Sequence, residues 1–106
     1  MKKTGDNMIK YREGYEIDYI RLIELLAEAG RDDVPTDFKH LSDMVENLKI
    51  VVTAWDFDYM VGFASLSGDE EINGKINVMV DNEYKNQGIE KELKTRIDSS
   101  LASSFQ

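Results

Sequence analysis

A chain of 106 residues fits one domain and one modest core. Hydrophobic residues make up 42% and charged residues 32%, a soluble globular balance, and the lack of cysteine excludes disulfides, thiolate metal sites and a cysteine nucleophile. The net charge of −8 argues against nonspecific binding to nucleic acid or anionic membranes, and no apolar run approaches the ~20 residues of a membrane span.

The opening "MKKTGDNMIKYREG" has lysines but no apolar h-region, so no secretory signal is expected and a cytoplasmic protein is. Within it "MIKYRE" alternates as a first strand ending at Gly14. "DYIRLIELLAEAG" then reads as a helix with Asp18 as N-cap and Gly30 just past its end. Its expected apolar face is Tyr19, Ile20, Leu22, Ile23, Leu26 and Ala27. "RDDVP" is a connector, after which Thr36 is expected to cap a second helix, "DFKHLSDMVENL", with Phe38, Leu41, Met44, Val45 and Leu48 on one face. "KIVVTAW" and "YMVGFASLS" are β-branched and aromatic runs joined by the tight "DFD" turn, which predicts an antiparallel hairpin. "GDEEING" is a polar loop leading to a further strand, "KINVMV", with Ile76, Val78 and Val80 on one face and Asn77 and Met79 on the other. A last helix starts near Gly88, its stripe formed by Ile89, Leu93, Ile97 and Leu101, and "SSLASSFQ" reads as a tail. The order β-α-α-β-β-β-α predicts a single α+β domain with a largely antiparallel sheet, its ordered core spanning about 8–98 and its tail 99–106.

Most familiar chemistries find no residues here. His40 is the lone histidine, on the polar side of the second helix between Asp37 and Asp43, so no metal site is predicted. "GDEE" lacks the spaced oxygen ligands of a calcium loop, and no serine stands in a nucleophile elbow. Trp55, Phe57, Tyr59 and Phe63 alternate along the hairpin without interleaved basic residues, which suits sheet packing better than nucleic-acid stacking.

What remains is "VMVDNEYKNQGIEKELKTRI", where a strand feeds a helix through one glycine. Two readings of Gly88 stand: an anion site at a helix start with bare N–H groups, or a connector using glycine as a turn residue. Residues 84–97 are also locally basic, with Lys85, Lys91, Lys94 and Arg96 against Glu90 and Glu92. Glu90–Lys94 and Glu92–Arg96 have the spacing of i,i+4 pairs on a solvated face, and that reading is compatible with anion binding.

The element order, the hairpin and this segment together resemble the GNAT superfamily of acyl-CoA N-acyltransferases. Val78-Met79-Val80 resembles the family's L/V-x-V strand end and Glu83-Tyr84 its acidic-aromatic step. Lys85-Asn86-Gln87-Gly88-Ile89-Glu90 is similar to its R/Q-x-x-G-x-G/A turn into a helix. The resemblance covers roughly residues 8–98 and implies a GNAT-like mixed, mostly antiparallel sheet flanked by helices. It implies acetyl-CoA as cosubstrate and acyl transfer to a small-molecule or peptide amine. Main-chain groups of Val78 and Val80 would bind the pantetheine arm, and the loop Lys85, Asn86, Gln87, Gly88, Ile89 and Glu90 would face the pyrophosphate.

Three departures from the family pattern are legible. Glu90 stands where the family has glycine or alanine, bringing bulk and negative charge to a phosphate site, with Lys85 and Lys91 near in sequence to offset it. Asn77 stands where a base carboxylate is often found, and an amide cannot accept the proton. The C-terminal part of the family's fold is missing after the last helix, which leaves the catalytic residues unassigned and a non-catalytic GNAT-like binding domain as the alternative function. It also leaves a sheet edge exposed, at which either a homodimer or protection of the edge by the "SSLASSFQ" tail is expected.

Overall fold

The computed structural model describes residues 9–31, 34, 37–67 and 75–103. The "GDEEING" loop, Thr36 and the end of the chain from 104 to 106 lie outside them, as does Met8 of the first predicted strand.

Strand β1 (Ile9–Glu13) is followed by α1 (Tyr19–Glu28) and α2 (Phe38–Glu46), then by β2 (Ile50–Asp56), β3 (Tyr59–Ser67) and β4 (Lys75–Val80). A 3₁₀ turn (Asn82–Tyr84) precedes α3 (Ile89–Ser103). The order predicted from sequence is therefore the order observed. The sheet runs β1-β2-β3-β4, and every pairing among the described residues is antiparallel rather than mixed.

Helices cover both faces. On one, Leu22, Leu25, Leu41 and Val45 of α1 and α2 pack on Trp55, Phe63 and Met79 of the sheet. On the other, Ile89, Leu93 and Ile97 of α3 pack on Val52, Ala54 and Val80. Strands β2, β3 and β4 show their two faces to two different cores, which is why β2 is buried from end to end instead of alternating.

Local chemistry explains the boundaries. Asp18 caps α1, its side chain accepting the Arg21 N–H at 3.1 Å, and Gly30 follows at φ 72. Asp37, not Thr36, is the N-cap of α2, accepting the His40 N–H at 3.2 Å. The predicted stripe of α1 also needs correction: Ile20 is 71% exposed and Ala27 is exposed, while Leu25 and Arg21 are buried. Residues two apart on a helix point to opposite sides, so Ile20 cannot share a face with Leu22. Phe38 is also exposed, with its ring edge-on to Tyr19 at 5.0 Å. Residues 99–103, read as part of a tail, continue α3, because Leu101 extends the four-residue apolar stripe by one more turn.

One irregularity shapes the sheet. Ala54 pairs with Gly62 but Trp55 pairs with Met60, leaving Val61 as the extra residue of a bulge in β3. Val61 and Gly62 consequently both face α3. A Cβ on Gly62 would lie 3.1 Å from Leu93 Cδ1 and 3.4 Å from Ile89 Cγ2, so glycine there lets α3 sit close on the strand.

Candidate functional site

Among the described residues β4 is an edge strand, paired with β3 on one side only. The Asp81 N–H donates to the Val61 carbonyl at 2.8 Å, in register with the β3–β4 ladder. Antiparallel ladders alternate bonded and non-bonded pairs, so Asn77 and Met79 bond β3 while Ile76, Val78 and Val80 turn their N–H and C=O groups outward. The side chains of Val78 and Val80 pack toward α3, so it is their main chain that faces the open edge.

After β4 the chain turns sharply. Asp81 Oδ1 accepts the Glu83 N–H at 2.8 Å, and the Tyr84 N–H donates to the Asp81 carbonyl at 2.8 Å, which closes the 3₁₀ turn. Asn86 at φ 67 and Gly88 at φ 82 then take left-handed conformations. A Cβ on Gly88 would meet nothing within 4 Å, so glycine is required there by backbone conformation rather than by crowding. The first intrahelical bond of α3 runs from the Glu92 N–H to the Gly88 carbonyl at 3.0 Å. The N–H groups of Ile89, Glu90 and Lys91 precede it and have no acceptor within the helix, at the positive end of its dipole.

Two concavities meet at this corner. One of about 480 Å³ runs down the flank of α3 and is lined by Val80, Tyr84, Lys85, Asn86, Gly88, Ile89, Glu90 and Lys94, among others. A smaller one of about 210 Å³ follows the β4 edge beneath α1 and is lined by Leu25, Glu28, Val78, Val80, Lys85 and Glu90, among others. Val80, Lys85 and Glu90 belong to both. The residues predicted from sequence thus come together, except Gln87, which lines neither. The Ile89 side chain is buried in the α3 core, so it offers the site chiefly its main chain.

The charges fall partly as expected. Glu90 pairs with Lys94 at 3.6 Å and Glu92 with Arg96 at 2.8 Å, both i,i+4 and exposed. The carboxylate at the loop is thus drawn along α3 to Lys94, the partner that its i,i+4 spacing predicts. Tyr84 donates its hydroxyl proton to Asp56 Oδ2 at 2.7 Å. That bond, aided by burial, pushes its pKa up to about 12, so the hydroxyl bordering the larger cavity stays protonated at neutral pH.

Sequence reasoning missed the buried Arg21–Asp81 pair, formed by Arg21 Nη2 and Asp81 Oδ2 at 2.7 Å. One signal was available: Arg21 stands four residues before Leu25, on the stripe that must face the sheet. Among the described residues no group of three or more His, Asp or Glu side chains is placed to hold a metal ion, and His40 bonds Asp37 through Nδ1 at 2.7 Å on the surface. No helix of the described residues is long and apolar enough to cross a membrane.

No family model and no curated protein matches the sequence. Solved structures do match the fold. A GNAT-family acetyltransferase of Streptococcus pneumoniae TIGR4 superposes with a TM-score of 0.70 at 20% identity, over 93% of this chain and 72% of that one. A protein of unknown function from meticillin-resistant Staphylococcus aureus, named a probable acetyltransferase, superposes at 0.77 and 20% identity, over 91% and 71%. An aminoglycoside acetyltransferase from an uncultured soil metagenomic sample superposes at 0.68 and 23% identity, over 93% and 73%. The chain has a GNAT-like α+β fold.

Proposed function

We propose that this chain binds acetyl-CoA along the β4 edge and transfers its acyl group to an amine. One observation carries the reading: the outward main-chain groups of Val78 and Val80 lead straight to the bare N–H groups at the start of α3, through a corner shared by two concavities. Pantetheine carries two amides and can pair with a strand edge as another strand would. A pyrophosphate suits the helix start, where N–H groups, the dipole and Lys85 favour negative charge. In the reaction the amine nitrogen attacks the thioester carbonyl, a base takes the amine proton, and the departing thiolate gains a proton. The acidic surface of the chain favours an amine over an acid as acceptor, and on this reading the protein works in the cytoplasm.

Asn77 favours a second reading, a domain that binds acyl-CoA or a protein partner without turnover, because the β4 position that would hold a base carries an amide. Titration of CoA followed by amide shifts tests binding: shifts at Val78, Val80 and Gly88 are expected, and unmoved amides there would refute the site. Release of free thiol from acetyl-CoA with a panel of amines separates transfer from binding alone. The same outward groups form the surface through which a second copy would pair, which sedimentation velocity with and without CoA reports.

A further inference from the structure

Helix α1 reaches the turn after β4 at two points. Arg21 Nη2 donates to Asp81 Oδ2 at 2.7 Å, and Arg21 Nε donates to the Met60 carbonyl at 2.8 Å, beside the β3 bulge. Seven residues further along the same helix, Glu28 Oε1 accepts the Asn82 N–H at 3.1 Å. Asp81 uses its other oxygen for the Glu83 N–H and its own N–H for the Val61 carbonyl. Residues 81, 82 and 83 are thus each tied by at least one directional bond, and α1 supplies the anchor. The Arg21 guanidinium also lies 4.1 Å over the Tyr59 ring and bonds Glu24, so its planar fork is held on several sides at once.

A buried ion pair is poor evidence of stabilisation, because apolar residues of similar volume often serve as well. Direction is what an apolar pair could not supply. We infer that Arg21 and Asp81 are positioning residues: they fix where β4 ends, and so aim the Lys85–Glu90 loop and the start of α3 at the ligand. The ligand rests on the acyl-CoA reading above, whereas the splint itself rests on the geometry of the free protein.

Amide hydrogen exchange on the full chain tests the splint without ligand. Arg21→Met should speed exchange at Glu83 and Tyr84 at least tenfold beyond the change at Val52 and Ala54 in β2, whose core amides exchange through global unfolding and report the overall loss of stability. The double variant Arg21→Met/Asp81→Asn leaves no buried charge unpaired and should show the same local effect if the single variant does not fold. Arg21→Lys, which keeps the charge but not the fork, should recover only part of the protection. In parallel, amide-shift titrations should show CoA affinity falling about tenfold in the variants while that of pantetheine, which has no pyrophosphate, stays within twofold. Exchange unchanged at 83–84, or raised equally in β2, would overturn the splint. A parent chain that binds no CoA would overturn the acyl-CoA reading instead, and the exchange result would still decide the role of Arg21.

Discussion

Helices α1 and α3 both hold the loop between residues 81 and 90, and they do so by opposite means. The ion pair of α1 is buried: Arg21 and Asp81 lie 2.7 Å apart with each side chain 8% exposed. The pair at the same corner on α3 is solvated: Lys94 and Glu90 lie 3.6 Å apart at 55% and 65% exposure. What seats α3 is apolar contact, with Leu93 and Ile89 closing on Gly62. The difference teaches that equal formal charge carries unequal weight. Removing one partner of a buried pair strands the other in low dielectric, while an exposed pair is screened and contributes ~1 kcal/mol at most.

The largest effect should come from breaking the buried pair on one side. Arg21→Met is expected to cost about 3–5 kcal/mol, a large part of the stability of a small domain. Replacing both partners, as Arg21→Met/Asp81→Leu, should recover most of it, since no charge is then left unpaired. Urea denaturation midpoints of the two variants decide, and equal loss in both would show that the pair contributes through its charge in some other way.

The contact that seats α3 comes next. Gly62→Ala adds a methyl 3.1 Å from Leu93 Cδ1 and 3.3 Å from the Ala54 Cβ, so these neighbours must give by a few tenths of an ångström. Overpacking of this kind costs about 1–3 kcal/mol. A neutral Gly62→Ala by thermal unfolding would show that α3 has slack, and the comparison would then weaken.

On the exposed side the effect should appear in binding rather than in folding. Under the proposed binding mode Glu90→Gly removes a carboxylate from the helix start that would meet the pyrophosphate and releases Lys94, and it is expected to strengthen CoA binding about tenfold, ~1.4 kcal/mol. Glu90→Gln should recover part of that gain and lose it as salt rises. Calorimetric titration at two ionic strengths measures both, and two variants no tighter than the parent would mark the loop as a connector.

The smallest effect belongs to the fully solvated pair on α2. His40 is raised above its ordinary 6.5 by its hydrogen bond to Asp37, and Asp37 is lowered below 3.8 by the same bond. The histidine's contribution is present below pH 6.5 and is lost as pH rises through its raised value. The aspartate's is present above pH 3.8 and is lost as pH falls through its lowered value. Between those limits both partners are charged. Asp37→Asn should bring the His40 ring titration, followed by NMR, back toward 6.5 with little change in unfolding midpoint at pH 8. An unmoved titration would refute the pairing.

Sequence periodicity by itself determined the seven principal elements, their order and the residues of the strand–loop–helix corner, because spacing, capping and glycine placement are local. The stripe of α3 is an example: Ile89, Leu93 and Ile97 recur every four residues and all three are buried. Locality is also where that reading stopped. Ile20 and Arg21 exchange their expected places because the face of α1 is chosen by the sheet beneath it, not by the hydropathy of one residue. Ser99, Ser100 and Ser103 are helical because Leu101 finds an apolar partner surface that no serine reveals. Only the tertiary structure could bring Arg21 to Asp81, residues 60 positions apart, or show that β4 turns the main chain of Val78 and Val80 to an edge that no other described strand pairs. Burial and hydrogen-bond direction depend on which segments meet in space, and that meeting is a property of the packed sheet and helices together.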